Sequence, residues 1–151
     1  MISERAELPA VSRRHRHVIV LVEDDAGLRA ALVRLLSASG FETRAYGSAE
    51  AALGDGFVAG ADCLVIDLNL PEVSGLDLVE RLQGRGIIAP AIVITAHDEA
   101  RIRHEVRQRG IEYFLVKPFL GSALVRLVDT AIARPRSRIV DPPPYLQESD
   151  S

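Results

Sequence analysis

The sequence predicts an α/β domain, a doubly wound, five-stranded parallel sheet of (βα)5 topology with strand order 2-1-3-4-5. Short apolar runs rich in β-branched residues recur along the chain, and a helical pattern follows each of them. Such runs are typical of strands buried on both faces, because helices cover both sides of a parallel sheet. The four runs are Val18–Val22, Cys63–Ile66, Ala91–Ile94 and Phe114–Val116.

A fifth run, Phe41–Tyr46, mixes polar and apolar residues. This composition favours a strand at the edge of a sheet, where one side meets solvent. The order 2-1-3-4-5 leaves this second strand at an edge, and right-handed crossovers connect the strands through helices on both faces.

The first two helices are predicted from apolar spacing and from residues that end or cap them. Apolar residues from Leu28 to Leu36 follow a 3.6-residue period, and Gly40 is expected to form a left-handed C-terminal cap. Ser48 can cap a second helix that runs through Leu53.

The last three helices are predicted mainly from their N-caps. Ser74, followed three residues later by Asp77, resembles a capping box that opens the third helix. Asp98 is expected to cap a fourth helix that Gly110 ends, and Ser122 is expected to cap the fifth.

Composition limits the class of protein. The 151 residues fit one domain, 18–133, between a polar leader, 1–17, and a proline-rich tail, 134–151, that we expect to be flexible. A net charge of −3 argues against direct nucleic-acid binding, and apolar runs of about five residues argue against membrane insertion. Cys63 is the only cysteine, which fits a reducing cytoplasm.

Polar residues follow the buried strands where each strand ends. Glu23 and Asp24 follow the first strand, Asp67 the third, Thr95 the fourth and Lys117 the fifth. The carboxyl ends of parallel strands meet at one edge of the sheet, where ligands bind in folds of this class. We therefore expect these side chains to converge on one crevice.

The expected carboxylates would repel one another, by about 4 kcal/mol per pair at 4 Å and an effective dielectric near 20. Lys117 supplies one positive charge, and Mg²⁺ held by two carboxylates and water is a natural second. Asp67 could then attack a phosphoryl group, with the hydroxyl of Thr95 on a phosphoryl oxygen. Alternatively, the acidic residues only cap the first helix, as Asp25 is expected to do, and Thr95 and Lys117 are ordinary strand-end residues.

Four stretches of the chain resemble the receiver domains of two-component response regulators, and their order is more specific than any one of them. The resemblance extends from about Val18 to Ala133. The stretches are Val20–Asp25, Val65–Gly75, Ile92–Ala96 and Tyr113–Phe119.

The resemblance implies a metal site and a phosphoacceptor. Asp67 would be the phosphoacceptor and a ligand of Mg²⁺, and Asp24 would bind the ion directly. Glu23 would act largely through a water molecule, and the backbone carbonyl of Asn69 would complete the site.

The resemblance also implies a switch. Thr95 and Lys117 would bind the phosphoryl oxygens, and Phe114 would be the aromatic residue whose position reports phosphorylation. The Lys117–Pro118 bond would be cis. If Thr95 moves toward the phosphoryl group, Phe114 can turn inward and change the surface formed by the fourth helix, fifth strand and fifth helix.

The function implied is that of a phosphorylated signalling protein, not an enzyme. A sensor histidine kinase or a histidine phosphotransfer protein would donate the phosphoryl group. The surface of helix 4, strand 5 and helix 5 would bind either an acidic partner or a second copy of the chain, which would form a homodimer. Because no effector domain follows Ala133, we expect a stand-alone receiver. The fourth helix departs from the family because it carries four arginines: Arg101, Arg103, Arg107 and Arg109. They form either a solvated face or a binding site for an acidic partner or a second copy of the chain.

Two other families share parts of this pattern. An aspartyl-phosphate phosphatase of the haloacid-dehalogenase type also uses Mg²⁺ and a strand-end aspartate, but it needs a second carboxylate where this chain has Asn69. A flavodoxin would need a phosphate-binding loop after the first strand, where Glu23, Asp24 and Asp25 would repel phosphate.

Overall fold

The computed structural model describes residues 17–134, so the predicted leader and tail lie outside the described residues except for positions 17 and 134. The strands form one parallel sheet in the order β2-β1-β3-β4-β5, which confirms the predicted topology. They are β1 (Val18–Val22), β2 (Glu42–Tyr46), β3 (Cys63–Asp67), β4 (Ala91–Thr95) and β5 (Tyr113–Val116).

Within residues 17–134, four α-helices and one 3₁₀ helix connect these strands, and a fifth α-helix follows β5. Gly56–Gly60 forms the 3₁₀ helix, which the sequence pattern did not predict. The α-helices are α1 (Ala26–Ala38), α2 (Ala49–Leu53), α3 (Gly75–Gly84), α4 (Ala100–Gln108) and α5 (Gly121–Ala133).

The sheet separates two apolar cores. Helices α1 and α5 contribute to one core, and α2, α3 and α4 contribute to the other. Every residue of β3 and β4 is buried, as expected for central strands. β2 is partly exposed, as its composition predicts, and β5 is only partly buried because it lies at the opposite edge.

Three helix caps agree with the sequence analysis. The side chains of Asp25, Ser48 and Ser74 accept hydrogen bonds from the first turns of α1, α2 and α3 at 3.0, 3.1 and 3.2 Å. Gly40 and Gly110 have φ values of 97° and 80° beyond the ends of α1 and α4, the left-handed conformation that glycine adopts readily.

Two predicted caps are wrong. α4 begins after Glu99 rather than Asp98, and the carboxylate of Asp98 instead accepts a hydrogen bond from Arg103. Ser122 lies inside the first turn of α5, which begins at Gly121 with Leu120 as its N-cap. Within the described residues neither Glu99 nor Leu120 provides a side-chain cap. None of the helices in residues 17–134 combines the length and apolar composition needed to cross a bilayer.

Candidate functional site

Three carboxylates meet at the carboxyl edge of the neighbouring strands β1 and β3. Glu23 directly follows β1, and Asp67 is the last residue of β3, which pairs with β1. Glu23 and Asp67 are buried, with 1% and 3% of their surfaces exposed, whereas Asp24 is exposed. One carboxylate oxygen from each of the three lies within 4.8 Å of the others, so the predicted convergence of the acidic residues is observed.

The side chain of Lys117 reaches into this acidic cluster from the end of β5. Its Nζ atom lies 2.9 Å from Oδ2 of Asp67 and 3.1 Å from Oε1 of Glu23. The amide of Lys117 donates a hydrogen bond of 2.8 Å to the carbonyl of Thr95, and the Lys117–Pro118 bond is cis. One ammonium group thus partly offsets the charge of two buried carboxylates.

Backbone amides hold the buried carboxylates in place. The amide of Asn69 donates to Oδ1 of Asp67 at 2.8 Å, and the amide of Asp25 donates to Oε2 of Glu23 at 3.1 Å. Oε1 of Glu23 receives no hydrogen bond of normal geometry from any residue in 17–134, although Lys117 is close enough for an ion pair. This oxygen is therefore buried with incomplete compensation.

Burial and charge shift the titration of the cluster. Burial, together with the carboxylate of Asp67, raises the pKa of Glu23 to about 7, against the lowering effect of the Asp25 amide and Lys117. Burial by itself lowers the pKa of Lys117, but hydrogen bonds to and charges on Asp67 and Glu23 outweigh it, so the net pKa is raised. Lys117 is therefore firmly protonated at neutral pH, whereas Glu23, with a pKa of about 7, is partly protonated there.

Thr95 is buried at the end of β4 and is held by neighbouring groups. Its Oγ1 atom donates a hydrogen bond to Oδ1 of Asn69 at 3.1 Å and accepts one from the amide of His97 at 3.0 Å. Only the backbone carbonyl of Asn69 was predicted to take part in the site, so the contact of its side chain with Thr95 was missed. Residue spacing carries no signal for this contact, which depends on the rotamers of both residues.

Gly75 and Arg29 support the site and were also missed as functional positions. A Cβ atom on Gly75 would lie 2.3 Å from the carbonyl oxygen of Asp67, so α3 can begin this close to β3 only with glycine. The position of Gly75 directly after a capping serine was a usable signal. Arg29 donates from Nη1 to the carbonyl oxygen of Glu23 at 2.8 Å, and nothing in the sequence pattern indicated it.

Phe114 lies on the same face of the sheet as Thr95, because Val93 pairs with Phe114 and Thr95 pairs with Val116. The ring is partly buried and forms part of a surface pocket of about 80 Å³. The guanidinium carbon of Arg103 lies 4.6 Å from the ring centroid. The pocket is lined by Arg103, Val106, Arg107, Ile111, Glu112 and Phe114.

The arginines of α4 and of its C-cap, Arg109, differ in their surroundings. Arg109 points toward α3, where it lies 3.9 Å from Asp77 and 3.8 Å from Glu80. Arg101 is largely exposed and lies 4.0 Å from Glu99. They do not form one uniform solvated face, since Arg109 links two helices.

The acidic cluster is chemically suited to a hard divalent cation. Mg²⁺ prefers oxygen ligands, is commonly held by one or two carboxylates, and keeps several waters. Glu23, Asp24 and Asp67 offer three carboxylate oxygens close together, and Oε1 of Glu23 lacks a hydrogen bond within residues 17–134. A cation there would relieve the repulsion that Lys117 only partly offsets.

Comparison with known proteins identifies the same family that the motifs resemble. The family described as response regulator receiver domain matches residues 19–129. The transcriptional regulatory protein FixJ of Azorhizobium caulinodans is 33% identical over 114 residues, which are 76% of this chain and 54% of that protein. Nodulation protein W of Bradyrhizobium diazoefficiens is 36% identical, over 80% of this chain and 53% of that protein.

Solved structures agree with this assignment. The non-phosphorylated HemR receiver domain from Leptospira biflexa aligns with a TM-score of 0.73 and 28% identity, over 80% of this chain and 98% of that domain. The chain spans about half the length of the curated relatives it matches. With its doubly wound sheet and acidic edge, the chain belongs to the family of response regulator receiver domains.

Proposed function

We propose that Asp67 accepts a phosphoryl group from a phosphohistidine of a sensor histidine kinase or a histidine phosphotransfer protein. The observation that carries this proposal is the position of Lys117 Nζ, 2.9 Å from the carboxylate of Asp67 in a buried acidic cluster. A carboxylate oxygen of Asp67 forms the new bond to phosphorus, and the bond from phosphorus to the histidine nitrogen breaks. That nitrogen keeps the electron pair and takes up a proton.

Mg²⁺ would be held by Asp24, Asp67 and the backbone carbonyl of Asn69, with Glu23 acting largely through water. The ion, when bound, neutralises charge on the phosphoryl oxygens. Lys117 remains beside Asp67 and contributes a second positive charge. Glu23 must give up its proton to contribute fully to the metal site, because its pKa of about 7 leaves it partly protonated at neutral pH.

Thr95 would bind a phosphoryl oxygen through its hydroxyl group. To do so, the hydroxyl must leave Oδ1 of Asn69, to which it donates in the structure described above. The movement vacates space on the sheet face that carries Phe114, and the ring can then turn inward. The surface formed by α4, β5 and α5 changes as a result, and it is the surface through which we expect a homodimer or another partner to bind.

The domain acts as a phosphorylated signalling protein in the cytoplasm rather than as an enzyme, and it catalyses at most its own phosphorylation and dephosphorylation. We expect it to bind neither nucleic acid nor membrane directly. The phosphatase alternative gains no support, because the amide of Asn69 cannot serve as the general acid that such an enzyme needs. Asn69 instead accepts the hydrogen of Thr95.

Phosphorylation by acetyl phosphate and Mg²⁺ tests this proposal. Intact-mass spectra of the wild type should show one added phosphoryl group, lost in hydroxylamine because the bond is an acyl phosphate. Asp67→Asn should gain none, whereas the control Asp77→Asn, an exposed residue of α3, should be labelled normally. Equal labelling of Asp67→Asn and wild type would contradict the assignment, and a label that survives hydroxylamine would indicate a hydroxyl acceptor.

A further inference from the structure

We propose that Arg103, anchored by Asp98, is a positioning residue that holds Phe114 in its present place and thereby opposes the inward turn of the ring. The proposal rests on the proposed function, because it concerns the switch that phosphorylation of Asp67 would operate. We call the contacts among Asp98, Arg103 and Phe114 the arginine latch.

Arg103 makes two contacts at once. Its guanidinium carbon lies 4.6 Å from the ring centroid of Phe114, within the range of a cation–π interaction. Its Nε atom donates a hydrogen bond to Oδ1 of Asp98. A planar guanidinium can stack on an aromatic ring and donate from its edge at the same time, which a lysine ammonium cannot do. The carboxylate of Asp98 therefore fixes the plane that covers the ring.

The pocket beside Phe114 leaves the ring room to move, so the contact with Arg103 affects its position. The ring is only partly buried and borders an open volume of about 80 Å³, so its own packing does not lock it in place. Arg103 covers the ring from α4, and Val106 and Ile111 line the rest of the apolar wall. An inward turn separates the ring from the guanidinium and gives up the cation–π contact. The latch therefore favours the present position of the ring.

A continuous set of contacts joins the latch to Thr95. The amide of His97 donates to Oγ1 of Thr95 at 3.0 Å, and Asp98 is the next residue in the chain. When the Thr95 hydroxyl turns toward a phosphoryl group, the His97 amide loses its acceptor in that position. The loop that carries Asp98 is then free to shift, which withdraws the anchor of Arg103. Phosphorylation would therefore release the ring as well as vacate the space that it enters.

Linkage gives the latch a measurable consequence. A ligand that favours the inward ring binds more tightly when the competing position is weakened. Removing Arg103 should therefore raise the affinity for beryllofluoride, a phosphoryl mimic, by roughly two- to tenfold, the factor expected from exposed contacts of this kind. Arg101 is the matched control, since it lies on the same helix, is exposed, and pairs with Glu99 at 4.0 Å.

The test titrates the full chain with beryllofluoride in the presence of Mg²⁺ and follows binding by calorimetry. Arg103→Ala should bind two- to tenfold more tightly than wild type, Arg103→Lys should fall between them, and Arg101→Ala should match wild type. Fluorine NMR of the chain labelled with 4-fluorophenylalanine follows the ring itself, and Phe114→Leu assigns the Phe114 signal. In ligand-free Arg103→Ala, the chemical shift of that signal should lie closer to the beryllofluoride-bound value than it does in ligand-free wild type. Equal affinity of wild type and Arg103→Ala, or equal tightening in Arg101→Ala, would overturn the latch.

A double-mutant cycle tests the anchor. Asp98→Asn should tighten beryllofluoride binding in the wild-type background and have no further effect in Arg103→Ala, because Asp98 acts through Arg103. Equal effects in both backgrounds would overturn that role. Acetyl phosphate labelling separates the two proposals: normal labelling of Asp67 with unchanged affinities rejects the latch alone. A wild type that neither binds beryllofluoride nor takes up the label rejects the proposed function and the latch with it.

Discussion

The carboxyl edge of β1 and β3 and the region of α4 and β5 use similar charged groups in very different surroundings. At the first, Glu23 and Asp67 are buried, and Lys117 lies within 3.1 Å of both. At the second, the ion pair of Arg101 and Glu99 spans 4.0 Å between exposed side chains. Burial shifts the pKa of Glu23 to about 7, whereas water screens the exposed pair.

The difference indicates that the acidic edge is built for the reaction and that the α4 side is built to rearrange. A tightly packed, buried cluster holds reacting groups in fixed positions, with their charges only partly compensated, as group transfer requires. The α4 side has an open pocket, a partly buried aromatic ring and a helix whose N-cap residue, Glu99, provides no side-chain cap within residues 17–134. Elements with few buried contacts are the ones that can rearrange at low cost. We therefore expect substitutions at the acidic edge to have larger effects than those at α4.

Gly75→Ala should have the largest effect on stability. Its Cβ atom would lie 2.3 Å from the carbonyl oxygen of Asp67 and 2.7 Å from Cα of Leu68, and both are backbone atoms that cannot move aside alone. We expect a loss of about 3 kcal/mol or more in the free energy of unfolding, measured in urea. The control Gly84→Ala, near the other end of α3 with open space around it, should gain about 0.5–1 kcal/mol. Similar stabilities for both variants would show that the close approach of α3 is not required.

Mg²⁺ should raise the melting temperature of the wild type, since we expect it to bind the acidic cluster of the native state. The expected gain is about 2.7 kcal/mol at a concentration of 100 times Kd. Asp24→Asn should weaken this response, whereas Asp25→Asn should keep it, because the side chain of Asp25 caps α1. Thermal scans with Mg²⁺ and with a chelator measure the difference. An unchanged response in Asp24→Asn would show that Mg²⁺ does not bind at Asp24 and that the metal site lies elsewhere.

Glu23→Gln should change how stability depends on pH in the absence of divalent cations. The folded pKa of about 7 lies above the ordinary value of 4.5, so the folded state holds this proton more tightly than the unfolded state. Stability therefore falls as the pH rises from 4.5 to 7, and the loss is complete above 7. Glu23→Gln should remove this loss and be more stable than wild type by roughly 3 kcal/mol at pH 8, with little difference near pH 4.

The exposed residue Glu50 of α2 provides the control for this experiment. Glu50→Gln should follow the wild-type pH profile, measured by urea unfolding at each pH. A Glu23→Gln variant with the same profile as wild type would mean that burial does not raise the pKa of Glu23.

The helix starts should give the smallest effects, with opposite signs in the two regions. Ser74→Ala removes a side-chain cap from α3 and should lower the free energy of unfolding by about 1 kcal/mol. Glu99→Ser supplies a cap that α4 does not obtain from Glu99 and should raise it by about 0.5 kcal/mol. Chemical unfolding measures both. A loss of stability in Glu99→Ser would show that α4 already has its first turn satisfied by other means.

Most of the fold was predictable because buried parallel strands leave a plain signal. The runs at β1, β3 and β4 were each located to within one residue, since apolar β-branched residues are needed along the whole of a strand covered by helices. β5 was also located to within one residue from its apolar run, although it is a partly buried edge strand. The convergence of Glu23, Asp24 and Asp67 followed from the topology, because parallel strands end at the same edge.

The features that sequence analysis missed depend on long-range contacts. The position of Asp98 predicted a helix cap, but its carboxylate accepts a hydrogen bond from Arg103 instead. The start of α5 at Gly121 coincides with close packing against Leu35, where an added Cβ would lie 3.1 Å from a methyl carbon. The bond from Thr95 to Asn69 joins residues 26 positions apart and has no counterpart in spacing or composition. Polar side chains choose among several partners, and only the folded chain selects one.

The position of Lys117, directly after the last strand, has a consequence for biosynthesis. It follows Asp67 by 50 residues, a delay of about 3–10 s at ordinary rates of translation. During that interval a nascent chain carries both carboxylates without the ammonium that separates them. β5 is the last of the described strands along the chain and pairs only with β4 among them, so Lys117 is synthesised after the other four strands. A ribosome-bound chain that stops before residue 117 should therefore accept a phosphoryl group more slowly than the full chain, even where its first four strands have folded.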